Sequence, residues 1–378
     1  MTSVGIMSMQ RILNYGSTLQ AHALAQLIRR ADAEARVGFI DFEPGPPLVQ
    51  AEAGKASRGG RVARTISKLR EYNDVDASLA NKFKFANHKR TYAAKYFPLV
   101  GIGASTNRDL DLQVIGSDEV FNCVQANSNV GFSKDLFGYN SRANRVISYA
   151  ASFGNTTLEK IDAAGIRSEL VEGFAKFHAI SVRDENSRRI VEELSGQAPS
   201  LHLDPTLVYD FGSAPPEVPR ARQHDEPYVV VYGYSGRFSR GENDRVRTLA
   251  AKLGARVLAF GGLQGCADEF VDCDPFTLLA YFRDAEAVVT DTFHGTIFSI
   301  INETPFVSLV RTSSGHGYGN EEKLGYLLDL LGLSDRAVRA NGDLVEVVEA
   351  PIDFTAARAT RSKESARSVD YLSRALEL

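Results

Sequence analysis

Short apolar runs alternate along this chain with stretches whose apolar residues recur at helical spacing, and nothing else in the sequence restricts the fold as much. A run of that kind, followed by an amphipathic helix and then another such run, is the pattern of an α/β protein in which helices cover a parallel sheet. In the first half the strands are expected at Val4–Met7, Arg36–Asp41, Leu112–Ile115, Arg145–Tyr149, Ala179–Val182 and Ser200–Leu203. The clearest helices between them are Thr18–Ala31 and Glu185–Leu194, the second closed by Gly196.

A second series follows, with strands expected at Tyr228–Tyr232, Arg256–Phe260, Ala287–Thr290 and Phe306–Leu309. Its helices fall near Asn243–Leu253, Pro275–Asp284, Thr292–Ile301 and Glu322–Leu331. Between the series, Asp210 to Pro227 holds four prolines (Pro215, Pro216, Pro219 and Pro227) and reads as a linker. At 378 residues the chain exceeds the usual limit for one core, so two domains are expected. Their bounds are 1–210 and 228–350, with 211–227 as the linker and 351–378 as a helix packed by Ala366, Val369, Leu372 and Leu376.

Composition removes several function classes. Apolar residues at 44% and charged residues at 24% describe a globular chain, and a net charge of −4 argues against a dedicated nucleic-acid binder. Cys123, Cys266 and Cys273 make an odd count with no C-x-x-C pair, so neither a disulfide framework nor a zinc knuckle is expected. With no signal-like or membrane-spanning stretch, the expected location is the cytoplasm. One segment departs from the acidic average: Lys55 to Lys95 carries eleven basic residues against Glu71, Asp74 and Asp76. It reads either as a surface meeting an anionic membrane or lipid-diphosphate carrier at the inner membrane face, or as a solvated insertion with one buried helical face.

Ligands of open α/β sheets bind at the carboxyl ends of the strands, so the residues just after each strand carry the chemistry. After the first come Asn14, Tyr15, Gly16, Ser17 and Thr18, where Gly16 lets backbone approach a ligand and Ser17 or Thr18 caps a helix. After the third come Gly116, Ser117, Asp118 and Asn122, which suit binding or deprotonating a sugar hydroxyl, although Asp118 also suits an N-cap. Arg183 can fork onto a carboxylate or phosphate, or pair with a nearby acid, and Asp204 lies either in the cleft or in a structural turn.

The second series ends in the most informative string, Thr290-Asp291-Thr292-Phe293-His294-Gly295-Thr296. It places His294 and Gly295 on the first turn of a helix, where unpaired amides and the dipole attract anions, although His294 also shares a face with apolar Ile297 and Phe298. Arg311 and His316 flank a glycine-rich stretch that either closes over a ligand or merely connects. Gly233 to Phe238 and Gly261-Gly262 follow strands but match no phosphate-loop motif. The D-x-D triplets at Asp74, Asp109 and Asp272 end no convincing strand, and no metal site is expected. Zincin, serine-hydrolase and Walker strings are missing, which leaves a metal-free transferase.

Together these strings resemble the polysaccharide pyruvyl transferase family. They run in order as Asn14-Tyr15-Gly16, Val114-Ile115-Gly116-Ser117-Asp118, Ser148 to Gly154, Ser181-Val182-Arg183-Asp184, Leu203 to Leu207, Thr290 to Gly295, and Pro305-Phe306. The resemblance implies two Rossmann-like domains facing across a cleft, in a GT-B-like arrangement, with the first on the acceptor side. It also implies phosphoenolpyruvate as donor, no cofactor, and a sugar of an oligosaccharide or lipid-linked glycan precursor as acceptor of a pyruvate ketal. In that reading Arg183, Gly16, His294 and Gly295 grip the donor, Thr292 and Thr296 line the substrate site, His294 serves as acid, and Asp118 activates a hydroxyl. Some family members have an Arg where Thr292 stands, which weakens that part of the anion grip. A GT-B glycosyltransferase using a nucleotide sugar, or a glycan-binding protein without turnover, fits the same fold.

Overall fold

The computed structural model describes residues 1–49, 75–103, 105, 109–212, 218–312, 320–339 and 342–377. The strands form two six-stranded parallel sheets. The first contains β1 (Ser3–Met7), β2 (Arg36–Phe39), β3 (Leu110–Asp118), β4 (Ala143–Ala151), β5 (Ser181–Val182) and β6 (Ser200–Leu201), in the order β2-β1-β3-β4-β5-β6. The second contains β7 (Tyr228–Tyr232), β8 (Arg256–Phe260), β9 (Glu269–Phe270), β10 (Ala287–Thr290), β11 (Phe306–Leu309) and β12 (Ala337–Val338), in the order β12-β11-β10-β7-β8-β9.

Helices of the first half are α1 (Tyr15–Ala31), α2 (Leu79–Tyr96), α3 (Leu158–Ala164), α4 (Arg167–Phe174), α5 (Glu185–Ser195) and α6 (Pro205–Val208). Those of the second are α7 (Arg240–Lys252), α8 (Pro275–Arg283), α9 (Phe293–Asn302), α10 (Glu321–Leu330), α11 (Leu344–Glu349) and α12 (Thr355–Leu376). Every residue of β7 and β10 is buried, as expected of central strands covered on both faces.

The strand order reverses between β1 and β3 in the first sheet and between β7 and β10 in the second. Those reversals open crevices at the carboxyl ends, where ligands of doubly wound sheets bind. The two Rossmann-like domains turn these ends toward each other, in a GT-B-like arrangement. Their shared core is apolar: Tyr15 and Leu19 of α1 and Leu207 of α6 belong to the same buried cluster as Tyr232, Phe298 and Phe282. The tail helix α12 packs back on α1 and α6.

Two expectations change, and of the two readings of the basic segment the one with a buried helical face is seen. Helix α1 begins at Tyr15 and its cap is Asn14, whose side chain accepts from the Ser17 amide at 2.7 Å, so neither Ser17 nor Thr18 is the cap. The edge strands β9 and β12, two residues each, were not expected. The part of the basic segment within the described residues contains α2, whose buried residues Asn81, Phe85, His88, Tyr92 and Tyr96 form one face. That face docks on the other domain: Phe85 packs on Phe270 at 5.2 Å between ring centroids, and His88 Nδ1 lies 2.6 Å from Asp272. Lys84 and Lys95 pair with Glu269 and Asp272, so α2 straps the two domains together. Residues 55–74 of the basic segment lie outside the described residues.

Two buried histidines make this core acid-sensitive. His202, beside Ser181 Oγ at 2.8 Å and stacked on Tyr149, has its pKa pushed down to about 4 by burial and then by the Arg367 charge. Burial, followed by Arg29, does the same to His22, also to about 4. Each ring is neutral in the fold but binds a proton in the unfolded chain below about pH 6.5. Their contribution is therefore fully present above that pH and is lost as pH falls toward 4, on the order of 3 kcal/mol per ring. Urea unfolding at pH 7, 6, 5 and 4.5 should show stability falling steadily, with a shallower fall in His202→Gln. An equal slope in both proteins would refute this.

Candidate functional site

The cleft is built from loops at the strand ends and from the first turns of α1 and α9. Gly16, on the first turn of α1, lies against the His294 imidazole, and a Cβ added there would stand 2.4 Å from His294 Nδ1. No larger residue fits without displacing the ring. Thr292 caps α9, its hydroxyl accepting from the Gly295 amide at 2.9 Å. The Phe293 and His294 amides at the start of α9 donate to no group among the described residues, which leaves them for an anion.

Behind His294 lies a buried charge cluster. Asp204 has a fully buried side chain and accepts from Arg183 Nη1 at 2.8 Å, from the Thr206 amide at 3.0 Å and hydroxyl at 2.6 Å, and from Ser117 Oγ at 3.3 Å. His294 Nε2 stands 3.7 Å from the same carboxylate, beyond hydrogen-bond length. This ring nitrogen is buried and has no hydrogen-bond partner among the described residues. Burial pushes the Asp204 pKa up, but His294, then Arg183, then Thr206 outweigh it and hold the carboxylate below its usual range.

Arg183 is 4% exposed, lies over the Phe293 ring at 4.3 Å, and reaches Asp118 Oδ1 only at 3.9 Å. Its guanidinium is engaged by Asp204, the pairing with a nearby acid that the sequence left open. Asp118 ends β3 with φ 74 and is not a helix cap; its Oδ2 accepts from Ser17 Oγ at 2.7 Å. Gly116, at φ 126, meets the Tyr149 carbonyl where a Cβ would stand, 2.3 Å away.

A small cavity of about 50 Å3 lies beside His294, walled by Leu13, Asn14 and Lys89 from one domain and by Tyr232, Gly233 and Thr292 from the other. Next to the charge cluster, Glu119 pairs with Lys323 of α10 across the cleft. Burial would raise the Glu119 pKa, but Lys323, Arg183 and Asn122 bring it down to about 2.

Of the expected site residues, Asn14, Gly16, Ser17, Asp118, Arg183, Asp204, Thr292 and His294 come together around this cleft. Others serve the fold. Tyr15 is buried and its hydroxyl donates to the Cys273 carbonyl at 2.7 Å, joining the domains. Thr296 is buried against Ser308 Oγ at 2.7 Å, and the Gly295 amide is taken by the cap. Ser117 donates to the Ala150 carbonyl at 2.9 Å, and Asn122 orients Glu119 at 2.8 Å. Arg311 is held by Asp291 at 2.9 Å and Glu242 at 3.1 Å, so closing over a ligand would break both pairs. His316 lies outside the described residues. Of the Asp272-Cys273-Asp274 triplet, Asp272 anchors α2 and Asp274 caps α8.

The sequence reading missed Glu119, Lys323, Lys89 and Tyr232. Only Glu119, adjacent to Asp118, was within sight of a motif.

Comparison with known proteins gives one family. A family model described as polysaccharide pyruvyl transferase matches residues 14–313. No curated protein matches the sequence. Among solved structures, the glycosyltransferase SsfS6 of Streptomyces sp. SF2575, complexed with thymidine diphosphate, is 15% identical, with 98% of each chain covered and a TM-score of 0.43. The E. coli heptosyltransferase WaaC with ADP is 13% identical over 94% of this chain and 97% of that one, with a TM-score of 0.38. An O-GlcNAc transferase mutant of Thermobaculum terrenum is 14% identical with a TM-score of 0.40, and the match covers 98% of this chain but 64% of that one.

Proposed function

This chain belongs to the polysaccharide pyruvyl transferase family, and from that premise we propose that it moves the enolpyruvyl group of phosphoenolpyruvate onto a glycan sugar. The product is a pyruvate ketal and the leaving group is inorganic phosphate. The observation that supports this best is the meeting of Gly16 with the His294 ring between the two crevices, beside the free amides of α9. Phosphoenolpyruvate carries a phosphate and a carboxylate on neighbouring atoms, so a helix start and a cationic side chain at the same point suit it. Lys89 and His294 supply the cations in this reading, and Arg183 positions Asp204 behind the ring.

His294 gives a proton to the methylene carbon, which becomes the methyl group, and one sugar oxygen bonds to the central carbon as its hydroxyl proton passes to Asp118. The bond to the phosphate oxygen then breaks, the phosphate leaves with one proton, and a second sugar hydroxyl closes the ketal. Of the two hydroxyl protons lost, one replaces that given by His294 and the other leaves on phosphate. The cavity is far smaller than the roughly 300 Å3 of an ordinary ligand pocket, so substrate binding requires the cleft to widen.

Thermal stabilisation tests the donor. A ligand at about 100 times its dissociation constant adds roughly 2.7 kcal/mol to stability. Phosphoenolpyruvate is expected to raise the melting temperature while nucleotide sugars leave it unchanged. A shift with nucleotide sugars alone makes the protein a glycosyltransferase instead, and binding of an oligosaccharide without phosphate release makes it a glycan-binding protein.

A further inference from the structure

A cavity of about 410 Å3, within the range of ligand pockets, lies away from His294, beside the linker. Asp210 at the end of the first domain, Phe211 and Arg220 in the linker, Leu279 and Arg283 of α8, Ile301 of α9 and Arg361 of α12 wall it. The cationic groups differ in what they already bind. Arg283 is occupied, donating to Asp284 at 2.7 Å and to the carbonyls of Pro219 at 2.8 Å and Arg220 at 3.2 Å.

Arg361 is not occupied in this way. Its Nε donates to the Leu207 carbonyl at 2.9 Å, and the guanidinium forms no ion pair among the described residues. It is half-buried all the same. Burial pushes its pKa down from the usual value, with only the more distant charges of Asp210 and Glu303 pulling it back. Glu303 is itself engaged by Arg358 at 2.6 Å. A desolvated cation left without a partner is costly unless an anion completes it.

We propose that this cavity beside the linker is a second binding site, distinct from the catalytic cleft, for a small oxyanion whose phosphate or carboxylate bonds to Arg361 and Arg220. Its apolar part rests on Phe211, Leu279 and Ile301. A guanidinium fork suits either headgroup, and Asp210, on the same wall, disfavours a ligand with charge spread along its length.

Calorimetric titration with inorganic phosphate in one arm and butyrate in the other tests this. Because the cleft is itself proposed to take phosphate, both arms use His294→Ala as well as the unaltered chain. The expected result is binding of at least one anion that survives His294→Ala and weakens by roughly ten- to hundred-fold in Arg361→Gln, the loss of one charge-assisted hydrogen bond. Arg220→Gln, at an exposed position that does not threaten folding, should weaken it several-fold and decides the matter if Arg361→Gln does not fold. If neither anion binds the His294→Ala protein, or if binding is unchanged in both arginine variants, the second site is refuted while the reading of the cleft stands untouched.

Discussion

Replacing His294 by Ala is expected to lower phosphate release from phosphoenolpyruvate by about 10²–10⁴-fold, the ordinary contribution of one general acid. The fold should survive, because the ring is partly exposed to the cleft and makes no hydrogen bond that secondary structure depends on. Gly16→Ala tests the same geometry from the opposite domain. Its Cβ would fall 2.4 Å from Nδ1, 2.5 Å from Cγ and 2.9 Å from Cβ of His294, so the ring must leave its place over α1. A comparable loss of turnover is expected from this methyl group alone, although Gly16 itself carries no reactive group. Near-normal phosphate release in His294→Ala removes the histidine from the chemistry. Normal release in Gly16→Ala alone would mean that the contact is mere packing.

The parts of this site that could be read from sequence are those fixed by local pattern. Apolar runs such as Tyr228–Tyr232 and Ala287–Thr290 became fully buried strands, and the residues after them lie at the cleft because chain geometry puts strand ends there. Which side of a helix faces the ligand was beyond local pattern. Thr296 and His294 stand two residues apart on α9, yet one is sealed against Ser308 and the other faces Gly16. Tyr15 and Gly16 divide in the same way, one into the interdomain core and one toward the ring. Arg311 has the charge to hold a donor, but Asp291 and Glu242 already hold it, and no spacing rule brings those acids to it.

Long-range pairs were unreadable for a related reason. Glu119 and Lys323 are separated by 204 residues and meet only because both crevices face each other. For helix α2 the buried face was legible, since Asn81, Phe85, His88, Tyr92 and Tyr96 recur at helical spacing, but what that face packs against was not. Two of the basic residues, Lys84 and Lys95, neutralise acids on the other domain, so part of the surplus serves the domain contact.

Asp204→Ala should cost the most stability of any single change in the cleft. The carboxylate accepts from Arg183, Ser117 and both donors of Thr206, and it caps α6. Without it, Arg183 stays buried with Asp118 at 3.9 Å as its remaining close acid. Leaving one member of a buried ion pair unpaired costs about 3–5 kcal/mol, and a lost helix cap adds about 1 kcal/mol. The pH dependence separates this effect from that of the buried histidines. Asp204 has a depressed pKa, so its contribution is present above its unfolded value near 4 and is lost only as pH falls below that. Denaturant unfolding of Asp204→Ala and the unaltered chain should therefore differ by about the same amount at pH 7 and at pH 5, although both lose stability over that interval through His22 and His202. A difference under about 1 kcal/mol at pH 7 would mean that solvent or Asp118 satisfies Arg183, and that Asp204 does not organise the cleft.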